Sequence, residues 1–268
     1  MNLKLDEIIK TSGDIWQKGW CESNGGNMSV RLDPKDWKDV KPEPDIWWPL
    51  PKDFPNLAGN YFLISASGKY LRNIEKFPEK NLGVIKINPT GTHYAKLWGF
   101  LNDAVPTSEL SAHLSIHDVR TLDKNSEDKV VIHAHPKNLI TLTYNDYITA
   151  LDSKTLSKLI WKMHAEGIVV FPDGIGYLPW MMAGSNELAN SSCELFNRHR
   201  IIVWERHGVV AVGRNLDSAF GLIDAAEKIT EIYLTCLSTN GFFEPKGLSN
   251  WQLKQIAKNF NVKPIYKL

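Results

Sequence analysis

The sequence is poor in cysteine. Cys21, Cys193 and Cys236 are the three in 268 residues, far apart and without a C-x-x-C pair, which excludes both a disulfide framework and a thiolate zinc site. That usage fits a reducing cytoplasm. Charge of one sign is also missing: 31 basic against 30 acidic residues leave a net charge of +1. No long-range field therefore draws the chain to nucleic acid or to an anionic membrane, and an anionic ligand has to be held by local groups. No apolar run approaches the ~20 residues of a membrane span. The N-terminal stretch MNLKLDEIIKTSGDIWQKGW carries acids where a secretion signal needs an unbroken apolar segment.

What remains has the composition of a folded domain, 43% apolar and 23% charged. Its length accommodates one large domain or two smaller ones; a single domain over residues 1–268 is the expectation. Residues 3–20 carry Leu3, Leu5, Ile8, Ile9, Ile15 and Trp16 at helical spacing. Residues 33–60, with six prolines around IWWPLP, read as a surface excursion. YFLISASG, LGVIKIN and THYAKLWG read as strands. A helix follows in which Thr107 or Ser108 caps a segment holding Glu109, Leu110, Leu114 and Ile116. VVIHAH is then a strand, PKNLITLT a helix opened by Pro136, LSKLIWKMHAEG an amphipathic helix, and IVVFPDGIG a strand running into a loop. NELANSSCELFNRH reads as a helix, IIVWE and GVVAVG as strands flanking RHG, and SAFGLIDAAEKITEIYLTCLST and WQLKQIAKNF as the closing helices. This interleaving predicts a layered α/β domain.

Within VVIHAHPKNL, residues 130–139, His133 and His135 are two apart on a strand. Side chains at that spacing share a face and can converge on one cation, although histidines are also common where a strand meets a polar loop. His207, in WERHGVV, is the best-placed third nitrogen, since the glycine after it permits close backbone approach. His113 and His117, four apart on a helix with Glu109 four before them, form a rival set. That pair lacks the internal glutamate of H-E-x-x-H. His93, His164 and His199 have no partner at ligand spacing.

Three loops of small residues suggest an anion cradle. SNGGN at 23–27 can aim successive backbone N–H groups into one concavity, though taken alone an ordinary helix-ending turn is the commoner reading of such a stretch. SASGK at 65–69 follows a strand without completing a G-x-x-x-x-G-K-[ST] loop, and PTSE at 106–109 adds two hydroxyls before Glu109. Glu109 itself also suits the first turn of a helix, where the dipole favours an acid.

Taken with GWCESNGGNMSVRL, SASGKYLRN, NLGVIKIN, LWGFLNDAVPTSELSAH, VVIHAHPKNLITLTY, VVFPDGIGYLPWMMAG, WERHGVVAVG and FGLIDAAEK, the sequence resembles the class II aldolase/adducin family nearly end to end. The resemblance implies a three-layer αβα sandwich around a mixed, mostly antiparallel sheet. It implies one zinc ion per subunit held by His133, His135 and His207, with Glu109 as catalytic acid/base. It further implies a phosphate site from Asn24, Gly26, Asn27, Ser67, Gly68, Thr107 and Ser108, a sugar-phosphate substrate and a homotetramer. Glu166 matches a family glutamate that reaches the aldehyde end of the substrate from a neighbouring subunit. The family also contains adducin-like modules that bind without catalysis.

Overall fold

The computed structural model describes residues 3–33, 36, 44, 46–124, 126–144, 152–241 and 243–268. Its strands are β1 (Asn27–Leu32), β2 (Trp48–Pro49), β3 (Tyr61–Ser65), β4 (Leu82–Ile87), β5 (His93–Gly99), β6 (Val130–Ala134), β7 (Gly176–Leu178), β8 (Ile201–Trp204) and β9 (Gly208–Gly213). They form one nine-stranded sheet in the order β2-β5-β4-β3-β1-β6-β9-β8-β7. Every neighbouring pair is antiparallel except β7 and β8, which run parallel.

The helices are α1 (Leu3–Gln17), α2 (Pro78–Asn81), α3 (Leu110–Leu122), α4 (Lys137–Leu142), α5 (Ser153–Met163), α6 (Ala165–Val170), α7 (Asn186–Phe196), α8 (Leu216–Thr239) and α9 (Asn250–Asn259). Strand residues alternate between faces, and the helices divide accordingly. Val30, Ile132, Val203 and Ala211 pack with Ile8 and Ile15 of α1, Leu139 of α4, Ile160 of α5 and Ile223 of α8. On the opposite face, Phe62, Ile64 and Ile85 meet Leu110 and Leu114 of α3. There too, Val131, Ile202 and Val210 meet Ile116 of α3 with Leu188 and Phe196 of α7. The result is the three-layer αβα arrangement around a mostly antiparallel sheet. By the same alternation His133 follows Val131 to the α3 side of the sheet.

One unassigned stretch gains a strand, and two local expectations are corrected. NMSVRL, between the first helix and the excursion, is the central strand β1, paired on both sides by β3 and β6. Its alternation of Met28, Val30 and Leu32 with polar residues is a strand signal hidden by the glycines before it. IVVFPDGIG is not a strand. Ile168–Val170 belong to α6, and only Gly176–Leu178 are extended. Gly167 explains this: an added Cβ would lie 2.6 Å from the Ile160 carbonyl oxygen, so glycine lets α6 fold back onto α5. Tertiary packing overrides the β preference of the Ile-Val-Val run. Neither Thr107 nor Ser108 caps α3; Glu109 occupies the N-cap position with no side-chain cap bond. Of the 33–60 excursion, Trp48–Pro49 pair with β5 as a short edge strand, and Pro34, Lys35, residues 37–43 and Asp45 lie outside the described residues.

Candidate metal centre and active site

The antiparallel pairing of β6 with β9 sets His133 opposite Val210, and the hairpin between β8 and β9 returns His207 to the same place. In that hairpin Arg206 adopts a left-handed φ of 55°. Its N–H donates to the Thr143 hydroxyl at 2.9 Å, and the His207 N–H donates to the Trp204 carbonyl at 3.2 Å. Gly208 makes the convergence possible. A Cβ there would stand 2.5 Å from the Ala134 carbonyl oxygen, 2.8 Å from His135 Cδ2 and 3.1 Å from His133 Cε1.

The ring orientations follow from hydrogen bonding. His133 donates Nδ1–H to the Val209 carbonyl at 3.0 Å, and His135 donates Nδ1–H to Glu22 Oε1 at 2.7 Å. Each ring therefore turns its Nε2 lone pair inward, and the two Nε2 atoms stand 3.0 Å apart. Facing lone pairs repel at that distance, and a cation between them removes the conflict. Nitrogens bound to a tetrahedral zinc at 2.0–2.1 Å would be roughly 3.3 Å from one another. One ligand atom from each of His133, His135 and His207 lies within 4.8 Å of the others. Outer partners of this kind select the tautomer and hold the ring for the metal. The buried Trp204 ring packs on His133 at 4.9 Å and stacks on His207 at 5.1 Å. Burial pushes His133 down to about 3 and His207 to about 4, so both are neutral and ready to ligate at pH 7.

Glu109, buried at the N-terminus of α3, places Oε2 3.9 Å from His133 Nε2 and Oε1 3.9 Å from His207 Nε2. The free N-cap position leaves its carboxylate turned into a cleft of about 220 Å³ rather than onto the helix backbone. Asn24, Gly26, Asn27, Ser67, Gly68, Thr107 and Ser108 line that cleft with Glu109 and the three histidines. An isolated bridge between Ala66 and Pro106 holds two of the loops side by side, with Ser67 N–H on the Val105 carbonyl and Thr107 N–H on the Ser65 carbonyl. Gly26 and Gly68 take φ of +75° and +66°. Among the described residues no lysine or arginine lines the cleft, so an anion there would rest on N–H groups, hydroxyls, amides and any bound cation.

Glu166 is not brought to this cleft. It is exposed in the first turn of α6, with its N–H on His164 Nδ1 at 3.2 Å. The rival helical pair is engaged elsewhere, since His113 Nδ1 and His117 Nε2 both meet Ser29 Oγ. His93, His164 and His199 are likewise occupied, by Thr92, Glu166 N–H and the Asp173 carbonyl. Sequence reasoning missed Glu22 and Trp204, whereas the glycine after His207, Gly208, makes the close backbone approach expected of it.

Residues 6–234 match the family model for the class II aldolase and adducin N-terminal domain. The chain belongs to the class II aldolase/adducin family. Among class II aldolase relatives, the rhamnulose-1-phosphate aldolases of Shigella boydii serotype 4 (strain Sb227) and Escherichia coli K12/DH10B are 40% and 39% identical over 261 residues, covering 96% of this chain and 93% of theirs. A sugar-phosphate aldolase from Thermotoga maritima superposes with a TM-score of 0.76 at 32% identity, over 91% of this chain and 98% of its own. An L-fuculose 1-phosphate aldolase shares the class II aldolase fold at a TM-score of 0.64 and 21% identity, over 96% of each chain.

Proposed function

We propose that the chain is a zinc-dependent aldolase that cleaves L-rhamnulose 1-phosphate into dihydroxyacetone phosphate and L-lactaldehyde. The observation that carries this is the meeting of three histidine ligand atoms with the Glu109 carboxylate in one small-residue cleft. Identity of 40% over 96% of the chain to rhamnulose-1-phosphate aldolase supports the choice of substrate.

His133, His135 and His207 would hold the metal. When bound, it supplies Lewis acidity toward the substrate's C2 carbonyl and C3 hydroxyl oxygens. The phosphate is received by the loops of Asn24, Gly26, Ser67, Gly68, Thr107 and Ser108, with the Asn27 backbone completing the first loop. In cleavage a base removes the C4 hydroxyl proton, the C3–C4 bond breaks, and the electron pair passes to C3 next to the carbonyl. Glu109 delivers a proton to C3, releasing dihydroxyacetone phosphate; in condensation it removes that same proton. A general acid/base so placed contributes about 10²–10⁴-fold.

In this reading the active form is a cytoplasmic homotetramer, and Glu166 reaches a neighbouring subunit's cleft toward the aldehyde. Its exposed position away from its own cleft supports that role. The deciding experiment is a coupled assay on L-rhamnulose 1-phosphate, L-fuculose 1-phosphate and ribulose 5-phosphate, with and without a chelator. Fastest turnover on the first, abolished by the chelator and restored by zinc, is expected. Preference for either of the others would reassign the substrate, and a folded, zinc-free, inactive protein would point to an adducin-like module.

A further inference from the structure

The face of α3 that carries Glu109, His113 and His117 at four-residue steps meets the face of β1 that carries Asn27 and Ser29. The five side chains form one continuous chain of hydrogen bonds. Asn27 Nδ2 donates to Glu109 Oε2 at 2.9 Å, and Asn27 Oδ1 bonds His113 Nε2. His113 Nδ1 lies 2.7 Å from Ser29 Oγ, which lies 2.9 Å from His117 Nε2. Ser29, His113 and His117 are each about 2% exposed or less.

The donor order is dictated from the carboxylate end. An ionised Glu109 only accepts, so Asn27 must present its NH₂ to Glu109 and its oxygen to His113. His113 then carries its proton on Nε2 and accepts at Nδ1 from the Ser29 hydroxyl, which in turn accepts Nε2–H of His117. Both imidazoles are neutral in this order, and burial lowers His113 to about 4 and His117 well below its ordinary value.

We propose that Asn27, His113, Ser29 and His117 position Glu109, and that the Asn27 side chain serves this carboxylate instead of the substrate's phosphate. The inference rests on the acid/base reading of Glu109. Both ends of the Asn27 amide are committed, so it cannot turn toward an anion without breaking the chain. Because Asn27 occupies Oε2, the oxygen on the His207 side, Oε1, is left to carry the proton. Buried polar side chains are a costly way to pack a strand against a helix, and a fully satisfied network returns a single orientation of its members. A carboxylate misplaced by about 1 Å can lose about 10²-fold in rate.

The test is exchange of the C3 proton of dihydroxyacetone phosphate with deuterium oxide in the zinc-loaded full-length protein, without aldehyde, followed by NMR and normalised to folded, metal-loaded subunits. His113→Gln keeps a donor for Asn27, and His113→Leu does not. Exchange by the Leu variant is expected to fall about 30-fold or more below the Gln variant at unchanged KM, whereas equal rates would overturn the proposal. If the Leu variant does not fold, Asn27→Asp decides. Its carboxylate cannot donate to Glu109, so exchange should fall about 30-fold or more at unchanged KM. Unchanged exchange with a raised KM would return Asn27 to the phosphate site. Glu109→Gln is the control: wild-type exchange there would refute the acid/base role itself, separately from its positioning.

Discussion

Replacing Gly208 with alanine tests whether close backbone approach builds the metal centre. The backbone at Gly208 is not left-handed, so the cost is one of space rather than of φ. The added Cβ would meet the Ala134 carbonyl oxygen at 2.5 Å, where ordinary contact begins near 3.4 Å. Relief requires a separation of about 0.9 Å between the end of β9 and the end of β6, because a β6 backbone atom cannot rotate away. The same Cβ presses on the His135 and His133 rings at 2.8 and 3.1 Å. Overpacking of this kind costs typically 1–3 kcal/mol, a fall in Tm of roughly 2–12 °C for a chain of this size. Metal sites tolerate about 0.2 Å in ligand distance, so a shift of this size should also displace one ligand and weaken zinc by about 10–100-fold. Calorimetric titration of zinc into the metal-free protein, with thermal unfolding at fixed protein concentration, reads both effects. A variant that binds zinc as tightly as the parent would show that the hairpin does not depend on the missing side chain.

Gly221, exposed in α8 with open space where a Cβ would stand, gives the opposite expectation: Gly221→Ala should stabilise by about 0.5–1 kcal/mol, read as a raised Tm. Glu227 accepts the N–H groups of Asn138 and Leu139 and the Asn138 amide at 2.9 Å each. Glu227→Ala strands buried donors at the start of α4, just after the metal pair, and should cost about 2–4 kcal/mol by urea unfolding. His113 and His117 titrate near 6.5 when unfolded but are held down by burial in the fold, His113 to about 4. The unfolded chain therefore takes up the extra protons, and stability is intact above pH 6.5 and lost as pH falls from 6.5 toward 4. The slope for two such groups reaches about 2.7 kcal/mol per pH unit. Urea midpoints of the metal-free protein that stay level between pH 7.5 and 5 would contradict the neutral, buried assignment.

The pairing of His133 with His135 was legible because two-residue spacing on a strand has one geometric meaning. The loops of 23–27, 65–69 and 106–109 stood out by their glycine and hydroxyl content, and the fold gathers them around one cleft. The course of α6 was illegible, since a run of Ile, Val and Val carries the same apolar signal in either structure and only the contact of Gly167 with Ile160 decides. Glu22 could not be singled out either. An acidic residue 113 positions before His135 has no local signature.

Composition, period and spacing by themselves determined a layered α/β chain with a paired-histidine strand and small-residue loops, because these are properties of neighbouring residues. His207 was already the best-placed third nitrogen in the sequence; that it meets the pair was a matter of tertiary structure, as was the use of Glu109, His113 and His117. Their common four-residue spacing on α3 suits a metal set or a hydrogen-bonded row equally. Packing of α3 on the sheet placed Ser29 opposite the two helical histidines and the β8–β9 hairpin placed His207 beside the pair. Such contacts join segments roughly 75–90 residues apart, and only the closed fold sets the distances at which those groups ligate or donate.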